Sequence, residues 1–155
     1  MKMEFYSITS EEIDVNKVIG SVIRPEAGAI NTFIGTVREF TGEKQTVSLQ
    51  YEAYPSMAEK QLKRIGGEIR EQWPAVQTSI VHRIGKLAIS DIAVVIAVAS
   101  PHRAESYEAS RYAIERIKEI VPIWKKEYWT DGEEWIGDQL EKTSYKNKLP
   151  KEEKK

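Results

Sequence analysis

Residues 92–100, IAVVIAVAS, constrain the fold more than any other stretch of the chain. A nearly continuous apolar run, rich in β-branched residues and bounded by turn signals, reads as a strand buried on both faces. Such a strand lies in the middle of a sheet with material packed above and below it. Ser90-Asp91 supplies the turn before it, and Ser100-Pro101-His102-Arg103 leads directly out of it into a helix.

The other elements arrange themselves around that strand. Residues 3–8 (MEFYSI) predict a first strand, and residues 14–23 a short helix with Asp14 as N-cap. Residues 29–40, AINTFIGTVREF, and 46–54, TVSLQYEAY, read as two strands joined by a turn at 41–44, hence as one long antiparallel hairpin. Ser56-Met57-Ala58-Glu59 has the form of a capping box, opening a helix that runs past Gly66-Gly67 to about Gln72. Trp73-Pro74 ends it. Residues 76–84 predict another strand, which carries His82, read here as a structural, hydrogen-bonded histidine. Residues 86–89 form a short strand or link.

From Arg103 to Val121 the spacing predicts an amphipathic helix with Tyr107, Ile114, Ile117 and Val121 on its apolar side. Pro122 stops it. Residues 123–129, IWKKEYW, then alternate as a strand, with Lys125 and Glu127 on one face and Trp124, Lys126 and Tyr128 on the other. Asp131-Gly132 marks a turn, with Trp135-Ile136 available for a last apolar contact. Residues 1–137 make one domain, and 138–155, dense in alternating charge, read as a disordered tail.

Composition excludes several classes of function. The 155 residues carry a net charge of −1, so no global field recruits nucleic acid or an anionic membrane, and any basic site is local. There is no signal-peptide core and no apolar run of bilayer length, which places the expected site of action in the cytoplasm. With zero cysteines the chain offers no disulfide, no thiolate metal ligand and no cysteine-borne intermediate. His82 and His102 stand far apart, in no metal-ligand spacing, so neither a metal nor a resident cofactor is expected.

Two lysines are the candidate catalytic groups. Lys118 sits at the margin of the helical apolar stripe, where its stem lies against hydrophobic surface and its amine can serve as nucleophile or proton carrier. The plain alternative is a boundary lysine paired with Glu115. Lys125 alternates with aromatics on the following strand, as a groove wall for a flat or anionic ligand or as a charge that keeps a sheet edge soluble. Arg38 closes an uncharged strand row at its end, within reach of a ligand. His102 and Arg103 stand at a helix N-terminus, whose unpaired N–H groups suit a phosphate.

Several phrases, in order, resemble one family. FIGTVR (33–38), LQYEAYPSMAEK (49–60), HRIGKLAISD (82–91), VIAVASPHR (95–103), IKEIVPIWKKE (117–127) and DGEEWIG (131–137) are similar to the large, catalytic subunit of molybdopterin synthase, the MoaE family. The resemblance covers about residues 3–137. It implies an α+β fold, an α/β hammerhead with an additional antiparallel β subdomain. It implies conversion of cyclic pyranopterin monophosphate (precursor Z) to molybdopterin. Two sulfurs arrive as thiocarboxylate on the Gly-Gly tail of a small ubiquitin-like subunit, in a heterotetramer built on a homodimer of large subunits. By motif, Lys118 and Lys125 fall on the catalytic positions, and Arg38, His102 and Arg103 on the substrate pocket. Thr36 and Val37 flank that pocket on one side, and Lys126 and Glu127 on the other. Ser90 stands where the family often has glycine.

His102 and Lys118 lie 16 residues apart on one helix, roughly 24 Å at 1.5 Å per residue. One substrate of pterin size does not span that distance, so the resemblance points to a site shared across the dimer. Two other classes of function fit the residues alone. One is a non-catalytic dimeric docking module for a ubiquitin-like tail. The other is a small RNA-binding domain stacking bases on Trp124 and Trp129.

Overall fold

The computed structural model describes residues 5–130 and 132–138. In chain order the elements are β1 (Tyr6–Thr9), α1 (Val15–Val22), β2 (Ala29–Thr36), β3 (Phe40–Thr41), β4 (Lys44–Ala53), α2 (Pro55–Gln72), β5 (Gln77–Arg83), β6 (Gly85–Ala88), β7 (Ile92–Ser100), α3 (Arg103–Ile120), β8 (Ile123–Trp129) and β9 (Gly132–Asp138).

β7 lies inside a four-stranded sheet of order β1-β5-β7-β2, as its unbroken apolar run requires. Its alternate side chains feed two different cores. Val94, Ile96 and Val98 meet Leu62, Ile65 and Ile69 of α2 and Ala109, Ala113 and Ile117 of α3. Val95, Ala97 and Ala99 meet Val18 and Val22 of α1 on the other side. Each large aliphatic side chain sealed in this way contributes about 1.5–3 kcal/mol relative to exposure. A second sheet runs β3-β4-β8-β9, with β6 also paired to β4, and every pairing in it is antiparallel. Val37, Leu49, Leu87 and Ala93 form a third apolar cluster where the two sheets meet. Helices gathered on one sheet beside a separate antiparallel sheet make this an α+β fold.

Local rules account for most element ends. Asp14 caps α1, its Oδ1 accepting from the Lys17 amide at 3.2 Å. Pro55 occupies the first turn of α2, where its missing N–H costs nothing. The capping box expected at Ser56 is absent. Tyr54 holds the N-cap position without a side-chain bond, and Glu59 reaches out of the helix to accept from the Ile8 amide at 3.0 Å. That contact ties α2 to the β1 edge.

The expected long hairpin is also corrected. β2 pairs with β7, not with β4. The register slips between Gly35 and Thr36, and the strand ends there. The chain then changes sheets, and only the two-residue β3 returns to pair with β4. The face of α3 that is buried consists of Ser106, Ala109, Ser110, Ala113 and Ile117, whereas Tyr107 is 59% exposed. Small residues let the helix lie close to the sheet, and Tyr107 stands outside it. β9 was not expected as a strand. β9 reaches Asp138, the first residue of the segment 138–155 read as a disordered tail, and the rest of that segment, like residues 3 and 4 read as strand, lies outside the described residues.

Two contacts carry stability predictions. A Cβ built on Gly66 would run into the Tyr6 hydroxyl, which hydrogen-bonds Thr78 Oγ1 at 2.7 Å. Gly66→Ala should therefore destabilise the protein by about 1–3 kcal/mol in denaturant unfolding, although alanine is the better helix former. On the outer face, Arg116 of α3 grips Glu68 of α2 at 2.9 and 3.0 Å, and Tyr112 donates to the same carboxylate at 2.7 Å. The Arg116 hydrogen bonds lead in holding Glu68 down to about 2, from an ordinary 4.5. A carboxylate lowered on folding stabilises fully above its unfolded pKa, and that contribution is lost as pH falls from about 4.5 toward 2. Arg116→Met should remove this part of the acid-unfolding slope and cost on the order of 1 kcal/mol at pH 7. Equilibrium unfolding of both proteins between pH 2 and 7 measures it.

Candidate active site

A cavity of about 640 Å³ opens where the two sheets meet the C-terminal end of α3. Thr36, Val37, Arg38, Lys118, Lys125 and Glu127, six of the nine residues singled out from the sequence, line it. They arrive from three separate places in the fold.

The first group follows the end of β2. The Val37 amide donates to Asp91 O at 2.9 Å, and the Ser90 amide donates to Val37 O at 2.8 Å. These bonds pin the crossing between sheets to the turn ahead of β7, in which Ser90 takes φ 75°. Val37 is buried as a result, and Thr36 and Arg38 are held beside the opening.

The second comes from α3. Pro122 and the Val121 cap end that helix, with the Val121 amide bonded to Ile117 O. Lys118 stands in the last turn, beside the cavity-lining Ile114 and Ile117. It is exposed to solvent and lines the cavity with them.

β8 supplies the third. Its alternation puts Lys125 and Glu127 on one face, Nζ to Oε2 at 3.5 Å. Glu127 is only 6% exposed. Its Oε1 accepts from Trp129 Nε1 at 2.7 Å and from Thr46 Oγ1 at 3.3 Å. A buried carboxylate is tolerated when a cation and hydrogen bonds offset its lost hydration, and here both are present. The pair fixes Lys125 in place on the cavity wall.

The cavity also holds residues that the sequence reading did not place there. Tyr51 of β4, opposite Lys125 in the register, is pushed up to about 12 by burial and by the Glu127 charge. It stays a phenol and a hydrogen-bond donor. His82 of β5, taken from sequence as structural, forms part of the wall. Burial, then the charge of Lys118, lowers it to about 4, so it is neutral at physiological pH. A cross-strand register would have revealed Tyr51, but pairing partners are not visible in a single sequence. His82 gave no such signal.

Three expected site residues stand elsewhere. His102 is the N-cap of α3 and Arg103 its first residue, at the far end from Lys118. Lys126 projects from the other face of β8, its Nζ 5.4 Å from the Tyr128 ring centroid. The aromatics of β8 do not wall the cavity either. Trp124 faces outward, 41% exposed, and the Trp129 indole serves Glu127. The expected aromatic groove is therefore not the site.

Arg38, Lys118 and Lys125 make the cavity a place for an anionic ligand or for negative charge that develops during reaction. Among the described residues, no cluster of three His, Asp or Glu side chains is placed to hold a metal ion.

A family model described as MoaE protein matches residues 8–120, most of the chain. The chain belongs to the MoaE family. Its relatives within that family are near full length. A Halalkalibacterium halodurans protein named molybdopterin synthase catalytic subunit is 65% identical, with 99% of this chain and 98% of that protein aligned. A Bacillus subtilis protein of the same name is 60% identical over 96% and 94% of the two chains. The crystal structure of molybdopterin synthase from Staphylococcus aureus superposes with a TM-score of 0.85 at 56% identity, covering 87% of this chain and 98% of that one. The α+β class expected from the sequence is thus the family's fold. No helix among the described residues is long and apolar enough to cross a membrane.

Proposed function

We propose that this chain is the catalytic subunit of a molybdopterin synthase in molybdenum cofactor biosynthesis. It converts cyclic pyranopterin monophosphate to molybdopterin in the cytoplasm. The sulfur donor is a small ubiquitin-like subunit carrying a C-terminal thiocarboxylate. The convergence of Arg38, Lys118 and Lys125 from three elements on one cavity carries this reading.

The chemistry follows from charge. The substrate phosphate, the thiocarboxylate and the oxyanions of acyl transfer are all negative, and a fixed cation cluster stabilises them most where charge develops. At each of the two side-chain carbons the thiocarboxylate sulfur forms a C–S bond as a C–O bond to that carbon breaks, the oxygen leaving with the phosphate or as water. The acyl–sulfur bond then breaks, and the acyl carbon passes to water or transiently to the Lys118 amine. Each small subunit leaves as a carboxylate. Lys125, steadied by Glu127, orients the thiocarboxylate or the substrate. Tyr51 offers a phenolic donor beside it. Thr36 and Val37 shape the rim.

His102 and Arg103 take part from a second copy of the chain. α3 has 18 residues, about 27 Å of helix, so its two ends belong to different sites. β2 forms an edge of its sheet with Ile30, Phe33 and Ile34 exposed. An apolar strand edge of this kind suits association with another copy. In such a homodimer the α3 N-terminus of one chain brings His102 and Arg103 to the substrate phosphate at the other's cavity. One small subunit at each end completes a heterotetramer.

The test is a defined reaction of this protein, a thiocarboxylated small subunit and cyclic pyranopterin monophosphate, read as the fluorescent oxidation product of molybdopterin. Product that depends on this chain supports the reading. No product while the small subunit binds stoichiometrically would leave a docking module instead.

A further inference from the structure

His82 is 2% exposed and pairs with Val94 across the first sheet, yet it borders the cavity. Its Nδ1 lies 2.9 Å from the backbone carbonyl of Arg83. A carbonyl only accepts, so the contact fixes the proton of the neutral ring on Nδ1. Nε2, the ring's other polar atom, is then a lone-pair acceptor. Tyr51 stands edge-on to the ring, with centroids 5.1 Å apart at 78°, and holds its plane.

Among the described residues, the charged and titratable groups that line the same cavity with His82 are Arg38, Glu39, Tyr51, Lys118, Lys125 and Glu127. Both carboxylates already have donors. Glu39 accepts from Gln45 Nε2 at 2.7 Å, and Glu127 accepts from Trp129 and Thr46 and pairs with Lys125. His82 adds an acceptor that brings no charge. Lys118 lines the same cavity as the ring, and after burial its charge is among the causes that lower the ring's pKa.

We propose that His82 is a positioning residue for Lys118: in its Nδ1-protonated tautomer it offers Nε2 to the Lys118 ammonium and holds the amine over the cavity. A carboxylate in this place would neutralise Lys118 and weaken the cation cluster. A neutral imidazole directs the amine and leaves the cluster's charge intact. The ring keeps that role across physiological pH, because burial keeps it unprotonated there.

The inference needs the proposed function only for its turnover readout, so it is tested first without turnover. The full chain is treated with an amine-acetylating reagent, and labelling of Lys118 and Lys125 is followed by peptide mass spectrometry. His82→Phe keeps the ring volume and removes the acceptor. It should raise the Lys118 labelling rate about fivefold and leave Lys125 within about twofold. His82→Gln, whose amide oxygen falls near the Nε2 place, should return Lys118 close to wild type. His82→Asn keeps a donor near Nδ1 but does not reach, and should behave like the phenylalanine variant. If His82→Phe does not fold, the glutamine–asparagine comparison decides alone.

In the synthase reaction, His82→Asn should lower kcat about tenfold with KM within about twofold. His82→Gln should recover most of that loss. A merely structural histidine would make both amides alike in labelling and in turnover, tracking their thermal stability, and that result overturns the proposal. Unchanged Lys118 labelling in every variant overturns it too, even where wild type forms product. Absence of product from wild type, with the labelling pattern as expected, would remove the synthase reading and leave the His82–Lys118 contact standing.

Discussion

Lys118→Ala is expected to reduce product formation to about 1% of wild type or less, while the small subunit still binds and the protein still unfolds at its wild-type temperature. Each part of that expectation has a separate structural reason. Lys118 is exposed, in the last turn of a helix whose packing rests on Ala109, Ala113 and Ile117, so removing its amine leaves the core intact. The loss is in the reaction because Lys118 reaches the cavity from a different element than Lys125, and neither can cover for the other. Removing one well-placed electrostatic donor typically costs 10²–10³ in rate, and a lost nucleophile or proton carrier costs more.

Lys118→Arg separates the two roles. It keeps the positive charge but has no amine that can be deprotonated to attack or relay a proton. Activity restored by arginine assigns Lys118 to charge stabilisation. Activity absent in both variants assigns it to bond making or proton transfer. Turnover by the alanine variant within tenfold of wild type would remove Lys118 from the centre of the mechanism. Fluorescence of the oxidised product measures all three proteins, with pull-down of the small subunit as the binding control.

How much of this was legible in the chain depends on the range over which each signal acts. β7 was readable because an uninterrupted apolar run has one physical solution, burial on both faces. The alternation of β8 correctly put Lys125 and Glu127 together, since strand periodicity is local. The partners of β2 were not readable. AINTFIGTVREF and TVSLQYEAY are adjacent strands with a turn between them, and sequence proximity favoured a hairpin. The slip at Gly35–Thr36 instead ends β2 and sends the chain to another sheet. That same break puts Arg38 at the cavity, so the residue was identified while the geometry that places it was not.

The capping box failed for a comparable reason. Ser56 and Glu59 have the right spacing, but Glu59 bonds Ile8, 51 residues away, and a tertiary contact prevailed over a local one. The site divides along the same line. Lys118 and Lys125 carried local and family signals, whereas Tyr51 and His82 join them only through cross-strand register. The helix N-terminus and the resemblance both singled out His102 and Arg103, which the fold of one chain leaves at the opposite end of α3 from Lys118.

That separation leads to the second large effect. Lys118→Ala and Arg103→Ala proteins should each be nearly inactive alone, yet a mixture allowed to exchange subunits should regain about a quarter of wild-type activity. Random pairing makes half of the dimers mixed. In a mixed dimer one site receives the intact Lys118 of one chain and the intact Arg103 of the other. The second site receives both defects. One working site of two, in half of the dimers, is about a quarter of the total. If each cavity drew every group from its own chain, each site in the mixture would carry one defect, and no activity beyond the parents would appear. The geometry favours complementation because α3 spans about 27 Å, longer than any single substrate the 640 Å³ cavity could hold. The double variant, Lys118→Ala with Arg103→Ala on one chain, is the control. Mixed with wild type, it should give no more activity than the wild-type homodimers present, since every site in a mixed dimer then lacks one group. Activity above that level would mean that each cavity takes both Lys118 and Arg103 from its own chain, and it would end the shared-site assignment.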